Sequence, residues 1–288
     1  MSQQDDLSRR ITSDRSDLPR ALGQIADYLL THPQEFISRP MRNLCRQIGV
    51  SEPTLIRFAR HYGYQGLPDL RIALAMSLSA GGGAGPAAEP RLADKEVVNR
   101  AAKRAIAECA LTLLGDDRAI LLDSGSTLRI FAQLLSRAPA MTIMATGLNT
   151  IHALEAAEQH CLMMPGGTLR RGSMSFAGRL AEETLAAMRF DTVYIGADNV
   201  DPSSGLSTFA EEEAHLNRAM IRAARRVVVL ADASKFRAAA LYPICDLAAV
   251  DILICDSALP DDTAKAIRAA GTKLMLAAPS PQLQGQSR

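Results

Sequence analysis

Apolar residues follow two different rhythms along this chain, one before residue 80 and another after residue 90. In the first part, Leu18, Leu22, Ile25, Ala26 and Leu29 recur every three or four residues. Leu70, Ile72, Leu74 and Leu78 form a second stripe. That spacing lines one face of a helix, so helices are predicted over 18–30 and 67–78. No strand-like alternation interrupts the segment, which reads as an all-α module. In the second part the apolar residues come in seven short continuous runs: RAILLD (118–123), MTIMAT (141–146), CLMMP (161–165), TVYIGA (192–197), VVVLAD (227–232), DILICD (251–256) and KLMLAA (273–278). Stretches of helical period lie between most of them, at 96–114, 126–135, 148–157, 177–188, 210–224 and 261–270. Continuous apolar runs suit strands buried on both faces. Their alternation with helices predicts an α/β domain around a largely parallel sheet.

The two rhythms meet at SAGGGAGPAAEP, residues 79–90. Glycine has no side chain to pack and proline breaks helices, so this stretch reads as a linker. The expected division is a first domain at 1–80, a linker at 81–90, a second domain at 91–280 and a polar tail at 281–288. With 48% hydrophobic and 22% charged residues the chain has material for two cores, which excludes global disorder. The net charge of +1 means that any nucleic-acid face must be local.

Cys45, Cys109, Cys161, Cys245 and Cys255 form no CxxC pair, and His32, His61, His152, His160 and His215 form no HxxxH pattern. Neither a disulfide framework nor a metal site is expected, and no cofactor is implied. The first thirty residues carry charges throughout, and no apolar run approaches the ~20 residues that span a bilayer. A cytoplasmic protein without membrane contact is expected.

The sharpest local pattern is MRNLCRQIGVSEPTLIRFARHYG, residues 41–63. Leu44, Ile48, Val50, Leu55 and Phe58 are spaced to pack two helices together, with the small Cys45 at their closest approach. Gly49 supplies a turn that needs a positive φ. Ser51 is placed to cap the second helix, and Pro53 falls in its first turn, where a missing N–H does no harm. This is a helix-turn-helix, whose second helix enters the major groove of DNA. Its outward residues are Glu52, Thr54, Arg57, Arg60 and His61. From Phe36 to Ile72, six arginines (39, 42, 46, 57, 60 and 71) face two acids, Glu52 and Asp69. Arg42, Ser51, Glu52, Thr54, Arg57, Arg60 and His61 are the candidate DNA-contacting residues.

The candidate chemistry of the second part lies where strands are predicted to end. LLDSGST, 121–127, joins a strand to a helix and offers free amides, a helix dipole and hydroxyls to an anion. Asp123, Ser124, Gly125, Ser126 and Thr127 are therefore candidate phosphate-cradle residues. Gly147 follows the second strand, Gly167 and Arg170 the third, Asp198 the fourth and Lys235 the fifth. Ligands of open parallel sheets bind outside the carboxyl ends of the strands. Cations for a phosphate and carboxylates for hydroxyls are what a polyol phosphate needs.

Two resemblances sharpen these expectations. VSEPTLIRFARHYGYQGLPDLR follows the vSxxTvxRFxrxlGfxGfxelk pattern of RpiR-type regulators, and residues 5–80 resemble their winged-helix-like N-terminal domain. That implies binding to double-stranded operator DNA as a homo-oligomer, a dimer or tetramer. DSGST, MPGGTLRRGSMSFAG, FDTVYIGADNVDPSSGLST and ADASKF resemble the C-terminal sensor domain of DeoR-type regulators over 95–278. The resemblance implies a fold shared with ribose-5-phosphate isomerases and CoA transferases. It also implies a phosphorylated-sugar effector, with Gly167, Arg170, Asp198 and Lys235 lining the sugar side. A repressor of carbohydrate genes is the expected function.

The alternative is an active phosphosugar isomerase joined to a DNA-binding domain. Enediol chemistry needs a carboxylate base beside the substrate carbon. The DGAD stretch of the isomerases reads Ile195-Gly196-Ala197-Asp198 here, and their lysine–glycine run reads Gly205-Leu206-Ser207-Thr208. Their helical glutamate would fall near Arg218 and Ala219. Glu211, Glu212 and Glu213 lie earlier on that helix, either within reach of the site or as a solvated first turn. A CoA transferase needs a nucleophilic glutamate in a loop, and none stands out. No catalytic residue is expected.

Overall fold

The computed structural model describes residues 6–80 and 89–278. Most of the expected linker, 81–88, and the expected tail, 281–288, lie outside the described residues. The chain divides into two compact units, Met1–Val98 and Asn99–Arg288.

The first unit contains α1 (Asp6–Asp14), α2 (Arg20–Thr31), α3 (Pro33–Ser38), α4 (Met41–Ile48), α5 (Glu52–His61), α6 (Leu67–Ala80) and α7 (Leu92–Val97). Among its described residues there is no strand, so the β wing implied by a winged helix is not seen there. Leu22, Ile25, Ala26 and Leu29 of α2 pack with Phe36, Leu44, Leu55, Phe58 and Leu74 into one core. The buried stripe of α6 is Leu67, Leu70, Leu74 and Ala75, so Ile72 sits off the core face on which it was expected. Arg71 lies within that stripe and is 2% exposed.

The second unit opens with α8 (Arg100–Leu111), then β1 (Ala119–Leu122), α9 (Ser126–Leu135), β2 (Thr142–Ala145), α10 (Leu148–His152) and β3 (Cys161–Met163). A hairpin follows, β4 (Thr168–Arg170) and β5 (Ser175–Ala177), and then α11 (Arg179–Ala186) and β6 (Phe190–Gly196). Next come β7 (Asn199–Asp201), β8 (Gly205–Thr208), α12 (Glu211–Arg222), β9 (Ala224–Leu230) and a 3-10 turn, Ala233–Lys235. The unit ends with β10 (Tyr242–Cys245), β11 (Ile252–Asp256), α13 (Asp261–Ala269) and β12 (Lys273–Ala277).

The seven expected strands are the seven strands of one sheet, in the order β12-β11-β9-β6-β1-β2-β3, and every neighbouring pair is parallel. Alternation explains the continuous apolar runs. Ile120 and Leu122 pack on the layer that holds α8 and α9, whereas Leu121 packs on the opposite layer with α11, α12 and α13. Both faces are buried, so every position is apolar. From β1 the chain steps out to β2 and β3, then returns to the other side of β1 for β6, β9, β11 and β12. The β1/β6 boundary is thus the point where the winding reverses, the place where such sheets hold ligands.

Three expectations need correction. The helix expected over 96–114 is broken, because Val98 is extended and Asn99 is left-handed (φ 54), so α7 and α8 are separate. The helix expected over 148–157 stops at His152. The small sheet β10-β8-β7 and the hairpin β4-β5 were not anticipated. Each of those strands has only three or four residues, too few to establish a period.

Candidate functional site

In the first unit α4 ends on Gly49, whose φ of 79 makes the tight turn expected of it. Pro53 stands in the first turn of α5. Leu44, Leu55 and Phe58 are buried, and Ile48, Val50 and Cys45 pack against them. Ser51 holds the N-cap position with extended backbone, but its hydroxyl meets the Thr54 hydroxyl at 2.8 Å and not a backbone amide. Arg42, Glu52, Arg57, Arg60 and His61 are exposed, and Thr54 is half-buried. Arg71 does not belong to the expected positive surface. It is buried, pairs with Asp94 of α7 at 3.2 Å and donates to the Arg39 carbonyl. Burial lowers the Arg71 pKa, and Asp94 works against that shift.

In the second unit the loop after β1 stands at the winding reversal. The Asp123 carboxylate accepts hydrogen bonds from the Ser124 amide (2.6 Å), the Gly196 amide (3.2 Å) and the Thr146 hydroxyl (3.4 Å). It therefore ties together the ends of β1, β2 and β6. Asp123, expected among the phosphate-cradle residues, holds that loop in place through these bonds. Ser124, Ser126 and Thr127 follow it into α9, whose N-cap residue, Gly125, has no side chain with which to cap the first-turn amides. A Cβ on Gly125 would meet only Leu128 Cδ2 at 3.6 Å, so packing does not require glycine there. Gly147 is different: a Cβ would lie 2.8 Å from Ser124 Cα, so its lack of a side chain lets the β1 and β2 loops touch. Gly167 has φ 104, and a Cβ there would strike the Ala177 carbonyl oxygen at 2.5 Å. The hairpin thus has its own need for that glycine.

A second group of polar residues lines the neighbouring strand ends. Arg170 pairs with Glu213 at 3.4 Å. Carboxylate oxygens of Glu213 and Asp198 lie within 4.8 Å of each other. Asp198 also accepts from the Thr208 hydroxyl at 3.1 Å, and its carbonyl accepts from Arg237 at 3.0 Å. Beyond β9, Asp232 accepts from the Ser234 amide and hydroxyl and from Asn99 Nδ2 at 2.9 Å. Burial would raise the Asp232 carboxyl, but Lys235, Ser234, Lys103 and Asn99 outweigh it and hold it below the usual carboxylate range. Burial lowers the Arg237 pKa to about 10, against the pull of Asp198 and Asp232. The structure thus gathers the expected Arg170, Asp198 and Lys235 with four residues that sequence reasoning missed: Asn99, Lys103, Glu213 as an ion-pair partner, and Arg237. Lys103 stands on the buried stripe of α8 with Ile106, Ala107 and Ala110.

Comparison with known proteins agrees with both halves. Residues 98–257 match the DeoR C terminal sensor domain. The chain belongs to the DeoR family of transcriptional regulators. Its reader is of another kind, since residues 6–81 match the helix-turn-helix domain of the rpiR family. A relative in Escherichia coli O157:H7, named "Putative aga operon transcriptional repressor", is 39% identical over 191 residues, covering 66% of this chain and 71% of its own. The L-fucose operon activator of Haemophilus influenzae is 30% identical over 168 residues, 58% of this chain and 67% of its own. Ribose 5 phosphate isomerase A from Neisseria gonorrhoeae aligns with 18% identity and a TM-score of 0.34, over 47% of this chain; the chain spans about half of that structure (53%). Among the described residues no helix is long and apolar enough to cross a membrane.

Proposed function

We propose that this DNA-binding regulator is a cytoplasmic repressor of carbohydrate genes whose effector is a phosphorylated sugar held at the strand ends of the second unit. The observation that carries this reading is the uncapped N-terminus of α9 at the winding reversal, bordered by the hydroxyls of Ser124, Ser126 and Thr127. Free amides and the positive end of a helix dipole favour a doubly charged anion. Arg170, Asp198, Lys235 and Arg237, on adjacent strand ends, suit the remainder of a polyol. The relatives include one named a repressor and one named an activator of a sugar operon, and this chain is read with the first. Arg42, Ser51, Glu52, Thr54, Arg57, Arg60 and His61 form the proposed DNA face, and two copies of the chain would present two such faces to an inverted repeat.

The site binds and does not turn over its ligand. Ile195 stands where the isomerases carry the first aspartate of their DGAD stretch, and Glu213 is engaged by Arg170. A thermal-shift screen of pentose, hexose and amino-sugar phosphates beside their unphosphorylated parents tests the sensor. At a hundredfold excess over Kd a ligand adds about 2.7 kcal/mol of stability, a shift of roughly 5–10 °C for a domain of this size. Stabilisation by free sugars but by no phosphorylated compound would overturn the reading. Isomerisation of ribose 5-phosphate above trace rates would overturn its non-catalytic part.

A further inference from the structure

One pair of buried hydroxyls remains outside the site as drawn above. Ser173 and Ser175 are 7% and 1% exposed, and their Oγ atoms lie 2.8 Å apart. Met174, between them, holds φ 53, a conformation that L residues seldom take. The segment is pinned to the end of β2. Leu148 N–H donates to Met174 O and Phe176 N–H to Thr146 O, both at 2.8 Å. Ser175 and Gly147 face each other in the antiparallel bridge so formed.

Directly opposed residues of an antiparallel pair send their side chains to the same face. The face in question is given by Gly147, where a Cβ would come within 2.8 Å of Ser124 Cα and 2.9 Å of Ser124 Cβ. The Ser175 side chain therefore leaves its backbone toward the side where the β1 loop lies. That loop is buried too, with Ser124, Ser126 and Thr127 6–7% exposed. Two hydroxyls carry two protons, and their mutual bond uses one. A buried hydroxyl proton needs an acceptor.

We propose that Ser175 donates this proton to the effector's phosphate, with Ser173 donating to Ser175 Oγ and so orienting it. The cradle then has a third arm, supplied by the β4-β5 hairpin and added to the β1 loop and the α9 amides. This inference rests on the phosphate reading above. It makes the hairpin part of the phosphate site, in addition to the sugar side to which Arg170 belongs.

The test uses the full-length protein with two probes, inorganic phosphate and the tightest sugar phosphate from the screen. Binding is measured for wild type, Ser175→Ala, Ser173→Ala and Thr127→Ala, by titration well below each variant's melting temperature. A hydrogen bond to a charged group is worth roughly tenfold in affinity or more. Ser175→Ala is expected to lose about tenfold for both probes, and Ser173→Ala less than that. If Thr127→Ala weakens binding while both serine variants bind as wild type does, the inference falls and the cradle stands. If Ser175→Ala weakens the sugar phosphate but not inorganic phosphate, the hydroxyl serves the sugar and the assignment to phosphate is wrong. If wild type binds neither probe, the phosphate reading itself falls. Should Ser175→Ala fail to fold, Ser175→Cys keeps the volume and removes the strong donor, and the same tenfold loss is required of it.

Discussion

Gly147 concentrates much of the sensor's geometry in one missing methyl group. A Cβ there would overlap the Ser124 backbone at Cα as well as Thr150 Oγ1, so rotating one side chain would not relieve it and the β1 and β2 loops would have to separate. Gly147→Ala is expected to cost about 1–3 kcal/mol of stability by overpacking, read as a lower urea midpoint, and to weaken effector binding further. Equal stability in the variant would show that the loops yield easily. Sequence alone marked Gly147 only as a glycine at a strand end, and no pattern in it foretold the contact with Ser124. Asp123 was an expected site residue, but its partners were not legible, because which groups a carboxylate accepts from depends on β6 arriving alongside β1. Lys103 and Arg71 share a different kind of illegibility. Each charge sits on an apolar stripe, where period counting reads past it, and its partner is distant in sequence.

Helix α5 carries most of the proposed DNA contacts, with Arg57 and Arg60 on an exposed face, so its chemistry separates from its folding. Replacing Arg57 and Arg60 together by alanine is expected to leave stability within about 0.5 kcal/mol. The slope of log K against log salt should fall by roughly 1–2, since each phosphate contact contributes about 0.9. Gel shifts across a salt series check this, and an unchanged slope with unchanged affinity would remove both arginines from the interface. Elements of this length were legible because their apolar spacing is long enough to count. The same holds for the seven strands of the main sheet, which are continuous in apolarity because both faces are covered. The strands of β4-β5 and β10-β8-β7 were not, since a run such as Gly205-Leu206-Ser207-Thr208 mixes apolar and hydroxyl residues whose burial depends on neighbours from elsewhere in the chain.

At the scale of the whole molecule, acid should act on the sensor through Asp232. Its carboxyl lies below its ordinary value in the folded chain, so it stabilises the fold fully above about pH 5 and loses that contribution as pH falls through the folded value. Asp232→Asn should therefore be less stable than wild type near neutrality and converge with it in acid. Parallel urea curves at both extremes would count against this. In the sequence a glycine-rich stretch separates two rhythms, and the two compact units divide after Val98, with α7 in the first. That membership decides where the protein can be cut. A reader fragment ended at residue 80, the cut suggested by composition, would leave Arg71 without Asp94, a buried cation with its partner removed. Such a loss typically costs 3–5 kcal/mol, enough to unfold a small domain. A fragment ended at residue 98 keeps the pair and should melt cooperatively, as circular dichroism of the two would show. A builder of chimaeric regulators who wished to fit this reader to another sensor should therefore splice after Val98 and treat α7 as the reader's own closing piece.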